Sequence, residues 1–216
     1  LDITAASVIP LLIASITATT VALMFRGFDP IISVTLSASD AFQLAQIPLY
    51  VLLGVCCGLM SYYFTEVNSI VGKFVKNIST QYKRWGFAGM LLGVMIFVFP
   101  PLYGEGYEGM MALMHGNVEN LFDNSLFYKF RGIEWVAIVY VIAIMFGKVV
   151  AMATTNAAGG VGGTFAPSLF VGAFMGATVA LVCNALFDWH VSVVSFTLVG
   201  MAGVMAGVMK APLTAI

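Results

Sequence analysis

A glycine-rich break, TTNAAGGVGGTFAPSLF at residues 154–170, interrupts the most apolar part of the sequence. Residues 149–187 contain no Asp, Glu, Lys or Arg on either side of the break. Glycine lacks a Cβ and allows backbone angles and close approaches that other residues do not. The chemistry that this pattern favours is therefore that of main-chain groups, and above all of amides that bind an anion.

The start of a helix supplies such amides. Its first N–H groups have no intrahelical partner, and that end carries about half a positive charge. In apolar surroundings this becomes an anion site that needs no Lys or Arg. A helix is predicted to begin at Thr164 and Phe165, with Pro167 in its first turn, where a missing N–H costs little. We predict that Gly162, Gly163, Thr164 and Phe165 bind the anion.

Spacing alone leaves a second interpretation open, because glycine-rich breaks are common between membrane helices. The break could be a loop that only joins two spans. Gly172 and Gly176 lie on one face of the helix that follows, and they predict close helix packing behind the break.

The amino-acid composition indicates which class of protein this is. The chain is 61% hydrophobic and 9% charged, with a mean hydropathy of +1.00, whereas soluble domains carry about 25% charged residues. Lipid is therefore the predicted solvent. The apolar segments are continuous rather than alternating, so helices are expected and not a barrel. A net charge of −1 offers no basic face for nucleic acid, and none is predicted as a partner.

The elements that must position the break are predicted as follows. Membrane spans are expected at about residues 3–25, 47–65, 133–153, 159–187 and 191–209. The densest positive cluster falls at about residues 66–84 and is predicted to be a cytoplasmic basic loop. A shorter apolar run at residues 85–99 ends in a Pro/Gly-rich turn, and residues 107–122 are expected to form a short, partly inserted helix.

Other groups that could do chemistry have competing interpretations. Lys148 interrupts the span predicted at residues 133–153. Its side chain either extends to the membrane interface or faces an ion path as a cation. Glu105 and Glu108 are either solvated loop charges or groups that attract cations and protons. An intramembrane serine protease would use Ser168 and His190, although Ser168 lacks a Gly-x-Ser-x-Gly setting. We predict no enzyme activity, no cofactor and no metal site.

Three stretches resemble the chloride channels and proton/chloride antiporters of the CLC family. They are YGEGYEGM at residues 103–110, GGVGGTFAPSLFVGAFMG at residues 159–176 and GMAGVMAGVMKAPLTAI at residues 200–216. Their order and separation also fit, and the resemblance covers essentially the whole chain. It implies an all-α, polytopic membrane protein with tilted, broken and partly re-entrant helices. It also implies transport of chloride, by a channel or by a proton-coupled exchanger.

The resemblance carries over site residues only where the motif matches. In the family, the amides of the two residues before Ala-Pro contact chloride, and here these are Thr164 and Phe165. Thr164 is a departure, since this position is more often Ile. The family's Gly-Ser-Gly-x-Pro and Gly-Lys/Arg-Glu-Gly-Pro elements and its late Tyr are not found. We do not reassign their roles to Ser168, Tyr140 or Glu105.

The missing elements indicate a middle fragment of a longer protein, so channel and exchanger stay undecided. A single transmembrane domain fragment is expected over residues 1–216, with the glycine-rich ion-site loop at residues 159–165. The family further implies a homodimer, with the first span similar to a helix at the dimer interface. A prokaryotic inner or plasma membrane is the expected location, and a structural membrane segment without transport of its own is the alternative function.

Overall fold

A computed structural model describes residues 5–26, 44–187, 189 and 191–210. The chain divides into two compact units, Leu1–Ser33 and Val34–Ile216. Across the described residues, the regular structure is helical throughout, which confirms the all-α prediction. The α-helices are α1 (Ala5–Arg26), α2 (Ile47–Lys76), α3 (Gln81–Val98), α4 (Tyr107–Met114), α5 (Glu134–Ala157), α6 (Phe165–Phe187) and α7 (Val193–Met209).

The first unit contributes helix α1, which overlaps the span predicted at residues 3–25. Residues 3 and 4 lie outside the described part. Pro10 lies inside the helix. The hydroxyls of Thr17, Thr19 and Thr20 donate to the carbonyl oxygens four residues earlier. These bonds satisfy polar side chains within their own helix, which an apolar environment requires.

Helix α2 in the second unit is longer than predicted. It continues to Lys76, and α3 begins at Gln81, so the predicted basic loop at residues 66–84 is mostly helical and only residues 77–80 connect the two helices. The apolar face continues through this basic stretch, and Val75 is fully buried in a small cluster with Ala88, Ala157 and Ala158. Burial of that face extends the helix past the charges, whose cytoplasmic location stays a prediction.

Helix α6 lies at the centre of the second unit. It packs against α7 and α5, and α2 packs against both α5 and α7. Helices α6 and α7 are antiparallel and approach closely through glycines. A Cβ on Gly172 would lie 2.5 Å from the carbonyl oxygen of Gly200, and one on Gly176 would overlap the carbonyl oxygen of Phe196. The packing predicted from Gly172 and Gly176 is therefore confirmed.

The segment between α3 and α5 is built from short helical pieces. A 3-10 turn at Pro100–Leu102 precedes α4, and another at Val118–Phe122 follows it. The short helix predicted at residues 107–122 is thus found for its first eight residues.

Ion pairs of Arg131 connect the loop before α5 to the turn after α4. The guanidinium group of Arg131 lies 2.9 Å from the carboxylate of Glu119 and 3.4 Å from that of Asp123. The hydrogen bond that Arg131 donates to Glu119 raises the pKa of Arg131 further above its ordinary value.

Three of the described helices are long and apolar enough to cross a membrane, namely Ile47–Lys76, Glu134–Ala157 and Phe165–Phe187. Leu12–Phe25 and Val193–Met209 are shorter apolar helices. Helices α5 and α6 flank the glycine-rich break, so the break joins two membrane-length helices.

The close approach of α6 and α7 generates a stability prediction. Gly176→Ala should lower the free energy of unfolding by about 1–3 kcal/mol or more, because its methyl group meets the rigid backbone of α7. Gly93→Ala in α3 is the matched control, since a Cβ there meets no atom within 4 Å. The control should be neutral or stabilising by up to about 1 kcal/mol. Thermal unfolding in detergent compares the two, and equal melting temperatures would contradict the packing account.

Candidate functional site

Helix α5 ends in a Schellman motif at the start of the break. The amide of Gly160 donates to the carbonyl oxygen of Thr155 at 2.9 Å, and the amide of Gly159 donates to the backbone carbonyl oxygen of Asn156 at 3.2 Å. Gly159 has a φ of +106°, which favours glycine. The helix therefore ends because its last carbonyls are satisfied by glycines that turn the chain away from the helix axis.

A side chain from α3 holds the start of the loop that follows. The indole Nε1 of Trp85 in α3 donates to the carbonyl oxygen of Ala158 at 2.9 Å. The side-chain oxygen of Asn156 lies 2.9 Å from where a Cβ on Gly162 would be, and a Cβ on Gly160 would lie 2.8 Å from the carbonyl oxygen of Thr155. A Cβ at position 160 would thus meet rigid backbone, whereas a Cβ at position 162 would meet only the end of the Asn156 side chain.

Helix α6 begins at Phe165, as predicted. The amide of Ser168 donates to the carbonyl oxygen of Thr164 at 3.0 Å, which is the first bond of the helix. The amides of Thr164, Phe165 and Ala166 precede that bond and so have no intrahelical partner, while Pro167 has no N–H to satisfy. Among the described residues, the loop and the start of α6 thus form a short row of donors without a hydrogen-bond partner at the positive end of a 23-residue helix.

The four predicted site residues lie consecutively at this helix start. Gly162, Gly163 and Phe165 are exposed on the described part of the chain, and Thr164 is half-buried. Gly163 has open space around it, since a Cβ there would meet only the amide nitrogen of Phe165, at 3.9 Å. An ion that approaches Gly163 would meet no side chain at that position, which suits a ligand bound by main-chain donors.

The end of α7 lies beside the start of α6. The hydroxyl of Thr164 donates to the Sδ of Met209, the last residue of α7, at 3.6 Å. The residue just before α6 and the last residue of α7 are therefore in contact. Such an arrangement of helix ends at a chain break is typical of ion sites in transport proteins.

The sequence matches the family described as "Voltage gated chloride channel" over residues 1–216. The chain belongs to this family. As a member of the voltage-gated chloride channel family, it is a polytopic helical membrane protein, which confirms the fold class predicted from the sequence.

Similar proteins occur in a plant and in bacteria. The chain is 29% identical over 222 residues to chloride channel protein CLC-e of Arabidopsis thaliana, covering 95% of this chain and 29% of that protein. It is 26% identical to a ClcB-like putative chloride channel protein of Ralstonia nicotianae, covering 99% and 46%. It is 27% identical to the H(+)/Cl(-) exchange transporter ClcA of Salmonella agona, covering 89% and 38%. The chain thus spans less than half the length of each.

The protease alternative does not survive the structure. The side chain of Ser168 is fully buried, and its hydroxyl donates to the carbonyl oxygen of Phe165 at 2.7 Å. Its proposed base, His190, lies outside the described residues. A buried hydroxyl that is committed to a backbone acceptor is not available to attack a peptide substrate. The hydroxyl instead stabilises the first turn of α6.

Sequence reasoning missed the residues that support the loop and left the position of Lys148 open between two alternatives. The bond from Trp85 joins residues 73 positions apart, and no local pattern reveals such a contact. Lys148 does not extend to an interface. Its side chain is 3% exposed, and its ammonium group donates to backbone carbonyls of residues 102 and 104.

The loop geometry gives a prediction about its glycines. Gly160→Ala should lower the stability by about 1–3 kcal/mol, because the added methyl group meets the backbone of Thr155. Gly163→Ala is the matched control and should change the melting temperature little, because it has room for a Cβ. Equal losses in the two variants, measured by thermal unfolding, would show that the loop has a different conformation.

Proposed function

We propose that this chain forms part of a chloride pathway, with the anion held by the amides of Thr164 and Phe165 and approached across Gly162 and Gly163. The observation that supports the proposal most is the position of these amides before the first bond of α6, which Ser168 donates. The direction of these N–H groups is fixed by α6, which is buried for most of its length. An anion therefore meets preorganised donors that need no rearrangement.

The strength of such a site suits transport. A fixed full charge in direct contact would hold a halide tightly and release it slowly, whereas oriented amides bind more weakly. The helix dipole adds about half a charge at the same end. The chain would supply one wall of the site, and the remaining walls would come from other parts of the full-length protein.

The names of the relatives support chloride as the transported ion. Both the channel names and the exchanger name contain chloride, so we propose chloride as the substrate. The two mechanisms differ in proton coupling, and both use an anion site, so the proposal holds for either. A structural membrane segment without transport is the competing function, and an absence of halide flux from the full-length protein in liposomes would favour it.

Two finer parts of the proposal concern assembly and location. We propose that the protein is a homodimer in which α1 contributes to the subunit interface, since its sequence IASITATTVA is rich in small and β-branched residues. We also propose a lipid-embedded location in a prokaryotic inner or plasma membrane. Bacterial relatives support that location, although a plant relative matches equally well.

The amide proposal predicts the effect of removing one donor. Phe165→Pro in the full-length protein should weaken chloride binding by about 10- to 100-fold, because a hydrogen bond to a charged group is lost. Proline is tolerated at the first position of a helix, so α6 should still form. Phe165→Ala is the matched control, because it keeps the N–H and removes a ring that is 49% exposed.

Isothermal titration calorimetry with chloride distinguishes these variants. Wild-type affinity in Phe165→Pro would contradict the proposal. A loss of affinity in Phe165→Ala as large as that in Phe165→Pro would also contradict it, since the ring and not the amide would then matter.

The open approach at Gly163 predicts a second effect. Gly163→Val should lower chloride flux severalfold in liposomes, because its side chain would occupy the space over which the ion approaches the amides. The position accommodates a Cβ, so assembly judged by size-exclusion chromatography should be unchanged. Wild-type flux in a correctly assembled variant would show that the ion takes another route.

A further inference from the structure

Lys148 is a buried cation that the anion site does not touch. It lies in the middle of α5, and its side chain is 3% exposed. Its Nζ donates to the carbonyl oxygens of Leu102 at 3.2 Å and Gly104 at 2.7 Å. The same atom lies 4.7 Å from the centre of the Phe170 ring. The ammonium group is therefore well solvated by dipoles and by an aromatic face.

The charge of this group is not neutralised by an ion pair. Among the described residues, the ion pairs are those of Arg131, and Lys148 takes part in neither. Glu105 is the carboxylate that interacts electrostatically with Lys148, and it is exposed in the turn before α4. Carbonyl oxygens and an aromatic ring stabilise a cation, but they are neutral and do not cancel its charge. The ammonium group of Lys148 therefore places a positive charge beside α6 in the interior of the second unit.

That charge lies close to the start of α6. Phe170, whose ring contacts the ammonium group, follows Phe165 by five residues, which corresponds to about 7.5 Å along the helix axis. Protein fills the part of this distance that is nearest to Lys148, because Phe170 and Ser168 are fully buried. Screening by salt is weak between groups separated by buried protein.

We propose that Lys148 strengthens anion binding at the start of α6 through space, without contacting the ion. This inference rests on the proposed function and adds a second source of positive potential to the helix dipole. With an effective dielectric constant of about 20 and a separation on the order of 12 Å, Coulomb's law gives a contribution of about tenfold in affinity. A charge at this distance attracts the anion without the slow release that direct contact would cause.

A purely structural role for Lys148 must be separated from this one. The lysine also ties the turn at residues 102–106 to α6, where a Cβ on Gly106 would overlap the ring of Phe170 and lie 3.4 Å from Nζ. If the role of Lys148 were only structural, loss of that tie would weaken anion binding by disturbing the orientation of α6. A Coulomb contribution to the affinity is the same for all monovalent anions that bind at the same position. Disturbed amide geometry instead changes the ratio of affinities between ions of different radius.

The test measures chloride and bromide affinities of the full-length protein by calorimetry. Lys148→Met should weaken binding of both ions about tenfold, with their ratio unchanged. Lys148→Arg keeps the charge and should stay within about twofold of wild type. Should Lys148→Met fail to fold, Lys148→Gln removes the charge while keeping hydrogen-bond donors, and the same tenfold loss is expected.

Gly106→Ala is the structural control. It disturbs the contact with Phe170 and has a φ of +85° to accommodate, so it should lower the melting temperature but leave both affinities unchanged. Wild-type affinity in the neutral variants would overturn the inference. A changed chloride-to-bromide ratio, or an equal affinity loss in Gly106→Ala, would also overturn it. Absence of chloride binding by the wild-type protein would instead overturn the proposed function, and this inference with it.

Discussion

The need to give every backbone amide a partner in apolar surroundings is the constraint on which the rest of this structure depends. Helices α2, α5 and α6 meet it along their lengths by internal hydrogen bonding. The constraint is not met by internal bonds at the start of α6, where Thr164 and Phe165 precede the first helical bond. At the end of α5 just before it, Gly159 and Gly160 donate to the carbonyl oxygens of Asn156 and Thr155. Among the described residues, the amides without a helical partner thus lie on the α6 side of the break, and we propose an anion as the partner that completes them.

The packing around α6 explains how these donors are held in place. Glycines bring α6 and α7 into backbone contact, and Ser168 secures the first turn of α6 with its hydroxyl. Trp85 fixes the carbonyl of Ala158 at the other side of the break. On the inner side, the ammonium group of Lys148 lies against the second turn of α6. Rigid donors and a nearby fixed charge both lower the cost of binding an anion, because neither must be organised when the ion arrives.

The sequence predicted those parts that local chemistry determines. Continuous apolar runs predicted α5, α6 and α7, and the spacing of Gly172 and Gly176 predicted the close helix pair. The glycines and Pro167 predicted where α6 begins, within one residue. The basic residues at 66–84 suggested a loop, but burial of Val75 continues α2 through most of that stretch.

Contacts between distant segments were beyond sequence reasoning. The bond from Trp85 to Ala158 and the burial of Lys148 against residues 102–106 depend on how separate helices pack. A lysine in an apolar helix has the same local signature whether it extends to water or turns inward, so only tertiary structure decides between the two.

Anomalous diffraction from crystals of the full-length protein grown with bromide tests the central claim most directly. The account predicts a bromide peak within hydrogen-bonding distance of the Phe165 amide nitrogen, with no cationic side chain in contact with the ion. A peak located elsewhere, or a Phe165 amide that donates to a protein carbonyl while no ion is bound there, would contradict it.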